Sequence, residues 1–490
     1  MVGIFEGPPI RHTSSPHESC ELEQLVQGKT LQHTIEMLPE DTLLDIFDIY
    51  RLDTMVWSRD GHQWNWLRLA HVCRRWRDVI SLSPHRLDLW ILCKSGAPIK
   101  RVLGSWSTVP LIVRFKGNPK SNSLPDNITA ALHHPDRICE IDLSVTSAIA
   151  GSIAEVIQEP LQALKSIRIT VKDTMGPPIS IRNTFLGGSA PHLKDIKLDG
   201  IAFPFPEMRQ ILLSTNNLVE LHLSGIPNDV YFSPNDLVTG LSTLVHLNRL
   251  TVGFYSPASR PPPSMTRPPP QRIIIPSVTF LDFHGASEYL EEFVTLIDLP
   301  ALCKITVRLF NEIFFEIPQV CQFIPRLKAL GSPTWVFVTH SGESVSVFFV
   351  QEGKPSNENC FLGTSCRRLD WQLSFVTQIS SQLSPHLSSV HSLSIKKGHE
   401  LPSGEEDVDS VQWLELFQPF THVTQVHVWE KKLVPGIMQA LVAEDVAAGV
   451  LPELTSLHLS GYRSSPSVVK AAEQFVNTRS LFGRTVHLIG

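Results

Sequence analysis

Cysteine is scarce in this sequence and is never paired at close spacing. The eight cysteines of the 490 residues are scattered, and no C-x-x-C pair occurs. Cys360 and Cys366 are not spaced as a zinc knuckle either. A low density of scattered cysteines is typical of reduced, mostly buried thiols, so we expect an intracellular protein without a disulfide framework or a bound metal.

The sequence also lacks a large excess of positive charge and long apolar runs. The net charge is −6 with no lysine- or arginine-rich block, so nucleic-acid binding has no electrostatic basis. No apolar run approaches the roughly 18 residues of a membrane span. The segment that starts at Met1–Glu6 lacks the basic and apolar regions of a secretory signal. We therefore expect a soluble cytoplasmic or nuclear protein that binds neither membrane nor nucleic acid.

Catalytic motifs are absent as well. No H-E-x-x-H, G-x-S-x-G or G-x-G-x-x-G sequence occurs. Gly28-Lys29-Thr30 resembles the end of a phosphate-binding loop, but position 23 is Glu23 where that loop needs glycine. The sequence thus predicts a protein that is not an enzyme and that needs no cofactor.

The N-terminal part of the chain has the spacing of short amphipathic helices. One helix is predicted over Pro39–Tyr50 and a second over Trp64–Ser81, because apolar residues recur every three or four positions. A shorter apolar segment follows the break at Ser83-Pro84. We expect a flexible tail over residues 1–33 and a three-helix module over 34–95. The apolar faces consist of Leu43, Ile46, Phe47 and Tyr50 in the first helix and Leu69, Val72, Cys73, Trp76, Val79 and Ile80 in the second.

From about Val109 onward, short strings of the form L-x-x-L-x-L recur. Those with the clearest pattern are His192–Leu198, Asn217–Leu223, His246–Val252, Ser277–Phe283, Ala301–Val307, Ser389–Ile395, His422–Val428 and Glu453–Leu459. Within the first five strings and within the last three, their spacing of about 24 to 33 residues lies at the long end of leucine-rich repeats. Each string predicts a strand with apolar side chains inward, paired with its neighbours in a parallel sheet.

This pattern predicts an α/β fold for residues 96–490. Helices or loops would cover the convex side, and the units would stack into an irregular leucine-rich-repeat solenoid, because one unit cannot bury its own face. The alternative is a set of unrelated strands in an ordinary α/β domain. Loop insertions are predicted near 256–276, which is rich in proline, near 333–365, with a β-hairpin over Trp335–Gln351, and near 398–410.

The helical segment resembles a known motif. It is similar to the F-box, and in particular to the F-box-like modules of divergent families in mushroom-forming fungi. The resemblance rests on Leu38-Pro39-Glu40, Leu44, Ile46-Phe47, the run Leu69–Trp76 (LAHVCRRW), Ser83-Pro84 and Leu89-Trp90. The stretch Thr184–Leu193 and the repeat strings after it resemble the C-terminal region of the same proteins. The chain departs from the motif at Asp53–Gln63, which lengthens the connection between the first two helices.

The resemblance implies a role in ubiquitin ligation. The module would dock onto the Skp-family adaptor of a cullin-RING ligase, and the repeat domain would bind a protein substrate. The residues implied in adaptor contact are Leu38, Pro39, Leu43, Ile46 and Phe47, with Val72, Cys73, Trp76 and Trp90 holding or extending that surface. Two alternatives stay open: a non-catalytic repeat scaffold in which the helices are only a structural cap, and an enzyme with an unrecognised site.

Overall fold

The computed structural model describes residues 37–56, 65–95, 99–117, 124–172, 185–201, 203–257, 272–310, 317–327, 331–353, 360–398, 410–442 and 449–490. The chain divides into two compact units between Ile91 and Leu92, which we call the helical unit and the repeat unit. In the part of the chain that is described, no helix is both long and apolar enough to cross a membrane. The tail predicted over residues 1–33 lies outside the described residues.

Three helices lie in the described part of the helical unit: α1 (Glu40–Val56), α2 (Asn65–Ala70) and α3 (Arg74–Leu82). Helix α1 begins directly after Pro39, with Glu40 and Asp41 in its first turn, where carboxylates favour the helix dipole. It continues past the predicted end at Tyr50. The first residues of the predicted insertion, Asp53–Gln63, are therefore helical, and those from 57 onward lie outside the described residues.

The single helix predicted over Trp64–Ser81 is wrong, because a turn at His71 and Val72 separates α2 from α3. Cys73 adopts an extended conformation (φ −154°) and caps α3, its Sγ accepting a hydrogen bond from the Trp76 N–H at 3.4 Å. The first N–H groups of a helix have no partner within it, so an acceptor at this position satisfies one of them. Cys73 is consequently half-buried, and it is not a core residue of an apolar helix face.

A sixteen-stranded sheet forms the core of the repeat unit. The strands are β1 (Ile91–Cys93), β2 (Leu111–Lys116), β3 (Ile138–Val145), β4 (Ser166–Val171), β5 (Asp195–Asp199), β6 (Glu220–Ile226), β7 (Arg249–Phe254), β9 (Phe280–Gly285), β11 (Lys304–Leu309), β12 (Trp335–His340), β13 (Ser344–Val350), β14 (Cys360–Ser365), β15 (Ser392–Lys397), β16 (Gln425–Val428), β17 (Ser456–Leu459) and β18 (His487–Ile489). Strands β8 (Ile273–Ile274) and β10 (Ile297–Asp298) form a separate parallel pair.

Helices connect many of the strands, as parallel neighbours require a crossover. They are α4 (Ile99–Ser105), α5 (Asp126–Leu132), α6 (Ser147–Val156), α7 (Phe205–Ser214), α8 (Pro234–Leu241), α9 (Ser287–Leu296), α10 (Pro318–Phe323), α11 (Leu369–Gln382), α12 (Ser410–Phe417), α13 (Val434–Val442) and α14 (Pro466–Leu481). Chain order and sheet order agree from β1 to β7, then through β9 and β11, and again from β15 to β18.

The predicted strings are strands, and their apolar residues form the core. The leading residues Leu193, Leu218, Leu247, Val278 and Leu302 are all fully buried. The next apolar position is aligned across five successive strands, with Ile196, Leu221, Leu250, Leu281 and Ile305 paired in register. Such alignment is typical of stacked repeats and is not expected of unrelated strands. The predicted α/β fold with a long, mostly parallel sheet is confirmed.

The segment near 333–365 continues the sheet, although the sequence analysis placed a loop insertion there. The predicted hairpin exists as β12 and β13, and β14 follows it. The three strands lie between β11 and β15, and β13 is antiparallel to both of its neighbours, whereas the other described pairings from β2 onward are parallel. Val336, Val338 and Val347 are fully buried on the core side. Residues 258–271 and 399–409, in the other two predicted insertions, lie outside the described residues.

Candidate interaction surfaces

Three of the predicted partner-binding residues are core residues of the helical unit. Leu43, Phe47 and Trp76 are buried. The rings of Phe47 and Trp76 lie with their centroids 4.8 Å apart, which joins α1 to α3. In the described conformation these three side chains are almost inaccessible to solvent.

The remaining predicted residues are at least partly accessible. Pro39, Ile46 and Val72 are exposed, and Leu38, Cys73 and Trp90 are half-buried. Ile49 and Leu52 were not among the predicted residues, and they extend Ile46 along the solvent side of α1 at a spacing of three residues. Ile46 is 38% exposed, Ile49 68% and Leu52 51%. Met37 and Leu82 are also exposed. The signal was present, since α1 has more apolar residues than one helix face can bury.

Ion pairs hold the start of α1 in place. Arg86 pairs with Asp41 at 2.6 Å and with Asp45 at 3.1 Å. The hydrogen bond that Arg86 donates to Asp41 is the main cause of the raised pKa of Arg86. Arg75 donates a hydrogen bond to the carbonyl oxygen of Leu38. Exposed ion pairs contribute little to stability. The hydrogen bond from Arg75 joins the segment that precedes α1 to α3.

The solvent side of the sheet has two parts that differ in chemistry. From β2 to β9 acids and bases alternate and form cross-strand ion pairs, for example Arg114 with Glu140 at 2.9 Å. His222 Nε2 lies 3.0 Å from Ser224 Oγ, and the Ser224 hydroxyl donates to Asp199 at 2.8 Å. Because this hydroxyl gives its proton to Asp199 and not to His222, the three residues do not form a nucleophile–base pair.

From β11 to β17 the same side of the sheet is rich in aromatic rings. Phe337, Phe348 and Phe361 are paired in register across β12, β13 and β14. The Phe348 and Phe361 ring centroids are 4.8 Å apart, and those of Trp335 and Phe337 are 5.7 Å apart. We call Trp335, Phe337, Phe348, Phe361 and Trp429 the aromatic face. Sequence reasoning missed it because its members come from strands that meet only in the folded sheet.

Cationic side chains lie over these rings. Lys396 Nζ is 4.4 Å from the Phe337 ring centroid and 5.9 Å from that of Trp429. Arg308 lies over Phe361 at 5.5 Å, and Lys304 Nζ is 5.1 Å from the ring of Phe280 on β9. A cation over an aromatic face within about 6 Å is attracted by the ring quadrupole. The rings therefore hold the ammonium groups at the surface of the sheet.

Two histidines lie beside the aromatic face. His427 on β16 and His458 on β17 are paired in register, and their rings stack with centroids 4.1 Å apart. The pKa of His427 is lowered, first by burial and then by His458 and Lys396. Its Nε2 atom has no hydrogen-bond partner among the described residues.

The opposite, inner side of the sheet contains a buried polar pair. His340 is fully buried, and its Nδ1 lies 3.0 Å from Gln372 Oε1. The Gln372 amide nitrogen donates to the carbonyl oxygens of Ser341 and Cys366, which fixes its oxygen towards the imidazole. Nδ1 must therefore carry the proton. Burial lowers the pKa of His340 to about 4.

In the described parts of the chain, neither the cysteines nor the side chains that commonly bind metals form a reactive cluster. The seven described cysteines are free thiols. Burial raises the pKa of Cys93 and of Cys321 to about 12, so neither is a thiolate at neutral pH. Within the same residues, no group of three or more His, Cys, Asp or Glu side chains could hold a metal ion.

The aligned strands define the architecture of the repeat unit. It is leucine-rich-repeat-like. No family model matches the chain, and no curated protein matches it. Among solved structures, the leucine-rich repeat-containing protein LegL7 from Legionella pneumophila is similar over 66% of this chain and 93% of its own, with 13% sequence identity and a TM-score of 0.26. So low a TM-score carries no inference about function.

Proposed function

We propose that the protein is a substrate-recognition adaptor of a Skp–cullin–F-box-type ubiquitin ligase. The helical unit docks onto the Skp-family adaptor, and the repeat unit binds a protein substrate on the solvent side of its sheet. The protein does no bond chemistry itself and raises the concentration of substrate near the ligase. The observation that carries the proposal is the exposed apolar stripe on α1, in a segment whose sequence resembles the F-box.

The density of exposed apolar residues supports a docking role for the helical unit. Six of the fifteen large exposed apolar side chains of the described residues lie between Met37 and Leu82. Three of them, Ile46, Ile49 and Leu52, are neighbours along α1, and contiguous exposed apolar surface marks interaction sites in soluble proteins. Leu43, Phe47 and Trp76 are buried in the helical unit, and the contact of Phe47 with Trp76 joins α1 to α3. The exposed stripe on α1 is therefore already ordered before a partner binds.

The test is titration of the full chain with the Skp-family adaptor of the host. We expect Ile46→Asp combined with Val72→Asp to weaken binding by about 30-fold or more, since loss of a hot spot costs roughly 2 kcal/mol. Val72 is 58% exposed and Ile46 is 38% exposed, so the circular dichroism spectrum should be unchanged and the melting temperature should fall only slightly. Leu213→Asp is the matched control, because Leu213 is an exposed apolar residue on α7 of the repeat unit.

A dissociation constant that is the same for the double variant and the wild type would overturn the proposed docking surface. Failure of the folded wild-type chain to bind any adaptor would instead favour the repeat scaffold, in which the helices only cap the chain.

A further inference from the structure

The two parts of the solvent side of the sheet differ in charge. From β3 to β9 this side has carboxylates on four strands, among them Glu140, Asp195 and Asp282. From β11 to β17 the solvent-facing strand residues include Lys304, Arg308 and Lys396 and no carboxylate in the described strands. The second part therefore combines aromatic rings with basic side chains, whereas the first part has both acidic and basic side chains.

Two of these cations are available to a ligand. Arg308 is paired with Asp282 at 3.0 Å. Lys304 and Lys396 have no carboxylate partner among the described residues and contact only aromatic rings. An ammonium group held over a ring keeps N–H donors that point outward, so it can still bind an anion.

We propose that the sheet surface from β11 to β17 binds an acidic peptide segment of the substrate protein. Carboxylates of the segment contact Lys304 and Lys396, and its aromatic or aliphatic side chains lie on Phe337, Phe348 and Phe361. The inference rests on the proposed function, in which the sheet surface binds substrate, and it names the chemistry of that substrate.

The sheet geometry gives the spacing of the acidic residues. Strands β11 and β15 are four positions apart in the sheet, with β14, β13 and β12 between them. Lys396 is in register with Arg308, which lies four residues along β11 from Lys304. At about 4.8 Å per strand and about 3.3 Å per residue along a strand, Lys304 and Lys396 are roughly 23 Å apart. An extended peptide advances about 3.3 Å per residue, so carboxylates about seven residues apart reach both lysines.

A nucleic acid fits this surface less well, although bases also stack on aromatic rings. Nucleic-acid affinity grows with the number of phosphates neutralised, and among the described side chains of this surface two lysines lack a carboxylate partner. The neighbouring strands β3 to β9 present carboxylates, and the chain carries a net charge of −6. A long polyanion that crossed the sheet would meet like charge.

The test uses a fluorescent random copolymer of glutamate and tyrosine and the full chain. We expect binding by the wild type, and binding weakened about 10-fold or more in the variant with Lys304→Gln and Lys396→Gln. Lys197→Gln is the matched control, because Lys197 is exposed on the same side of the sheet at β5; it should change binding by less than about twofold, as surface substitutions away from a contact do.

Three outcomes would overturn the inference: no binding of the copolymer, equal binding by wild type and double variant, or tighter binding of an oligothymidine probe that the double variant loses. Titration of the same variants with the Skp-family adaptor separates this inference from the proposed function. The lysine variant should bind the adaptor as the wild type does. Copolymer binding without adaptor binding would refute the proposed function and leave the surface assignment intact.

Discussion

The buried imidazole of His340 makes the stability of the repeat unit depend on pH. His340 donates from Nδ1 to Gln372, and its Nε2 has no hydrogen-bond partner among the described residues. The Trp413 ring lies nearby, with centroids 6.5 Å apart. A proton added at Nε2 would place a charge in an apolar, fully buried position. The physical cause of the lowered pKa is therefore the loss of solvation of the imidazolium ion.

The size of the effect follows from the pKa of His340, which is lowered from 6.5 to about 4. Above pH 6.5 the imidazole is neutral in the folded and the unfolded chain. As the pH falls below this value, the unfolded chain binds a proton that the folded chain does not, so the free energy of unfolding decreases until the pH reaches about 4. Each tenfold change in proton affinity corresponds to about 1.4 kcal/mol, so the full loss is about 3 kcal/mol, and between about pH 7 and pH 5 it is roughly 2 kcal/mol.

The assay is urea unfolding at several pH values for the wild type and for His340→Asn. Asparagine can donate its amide N–H to Gln372 and cannot titrate in this range. Other groups with shifted pKa values are common to both proteins, so the difference between the two curves isolates His340. We expect the wild type to lose about 2 kcal/mol more than the variant between about pH 7 and pH 5. Parallel curves would refute the reasoning.

Two further predictions concern packing and backbone conformation. Phe47→Ala should lower the free energy of unfolding by about 3–5 kcal/mol, because Phe47 is buried against Trp76. Val72 is exposed, so Val72→Ala should change it by less than about 0.5 kcal/mol. Hydrogen exchange of the helical unit measures both effects, and equal protection in the two variants would contradict the assignment of Phe47 to the core. Gly225→Ala should destabilise the chain by more than about 1 kcal/mol, because Gly225 has φ +60° and an added Cβ would lie 2.9 Å from the Gly200 nitrogen. Gly104→Ala in α4 should stabilise the chain by up to about 1 kcal/mol, because the space at the Cβ position is open. A higher melting temperature for the Gly225 variant than for the Gly104 variant would contradict both predictions.

The repeat strands could be predicted from the sequence because their signal is local. In HLKDIKL and its later copies, the apolar positions of one string are the positions that become buried, as Leu193, Ile196 and Leu198 show. The same spacing recurs in each copy, so the parallel register follows from the alignment of the strings. The periodicity thus determines both the strand and the side of the sheet that forms the core.

The helix break at Cys73 and the aromatic face could not be predicted in the same way. The apolar spacing runs without interruption through LAHVCRRW, and the cap at Cys73 depends on a hydrogen bond to a weak acceptor. The hairpin Trp335–Gln351 was predictable from its alternation, but nothing in it specifies that β12 pairs with β15. The contact of Lys396 with Phe337 follows from that pairing, so it arises only in the folded sheet.

In the helical unit, the sequence predicted the apolar residues but not which of them are exposed. The pattern places Leu43, Ile46 and Phe47 on one face, yet Ile46 is exposed while the other two are buried. An α-helix rotates by 100° per residue. The apolar spacing of a single turn therefore does not show where the buried part of the helix surface ends. The packing of Phe47 against Trp76 determines this limit, and it depends on how α3 meets α1.

The most direct test of the account is hydrogen–deuterium exchange of the full chain with and without the Skp-family adaptor. The account predicts slower exchange in α1 and around Val72 when the adaptor is bound, with unchanged exchange in β11 to β17. Protection confined to the sheet strands, or no protection anywhere under conditions where the chain is folded, would contradict the assignment of adaptor docking to the helical unit.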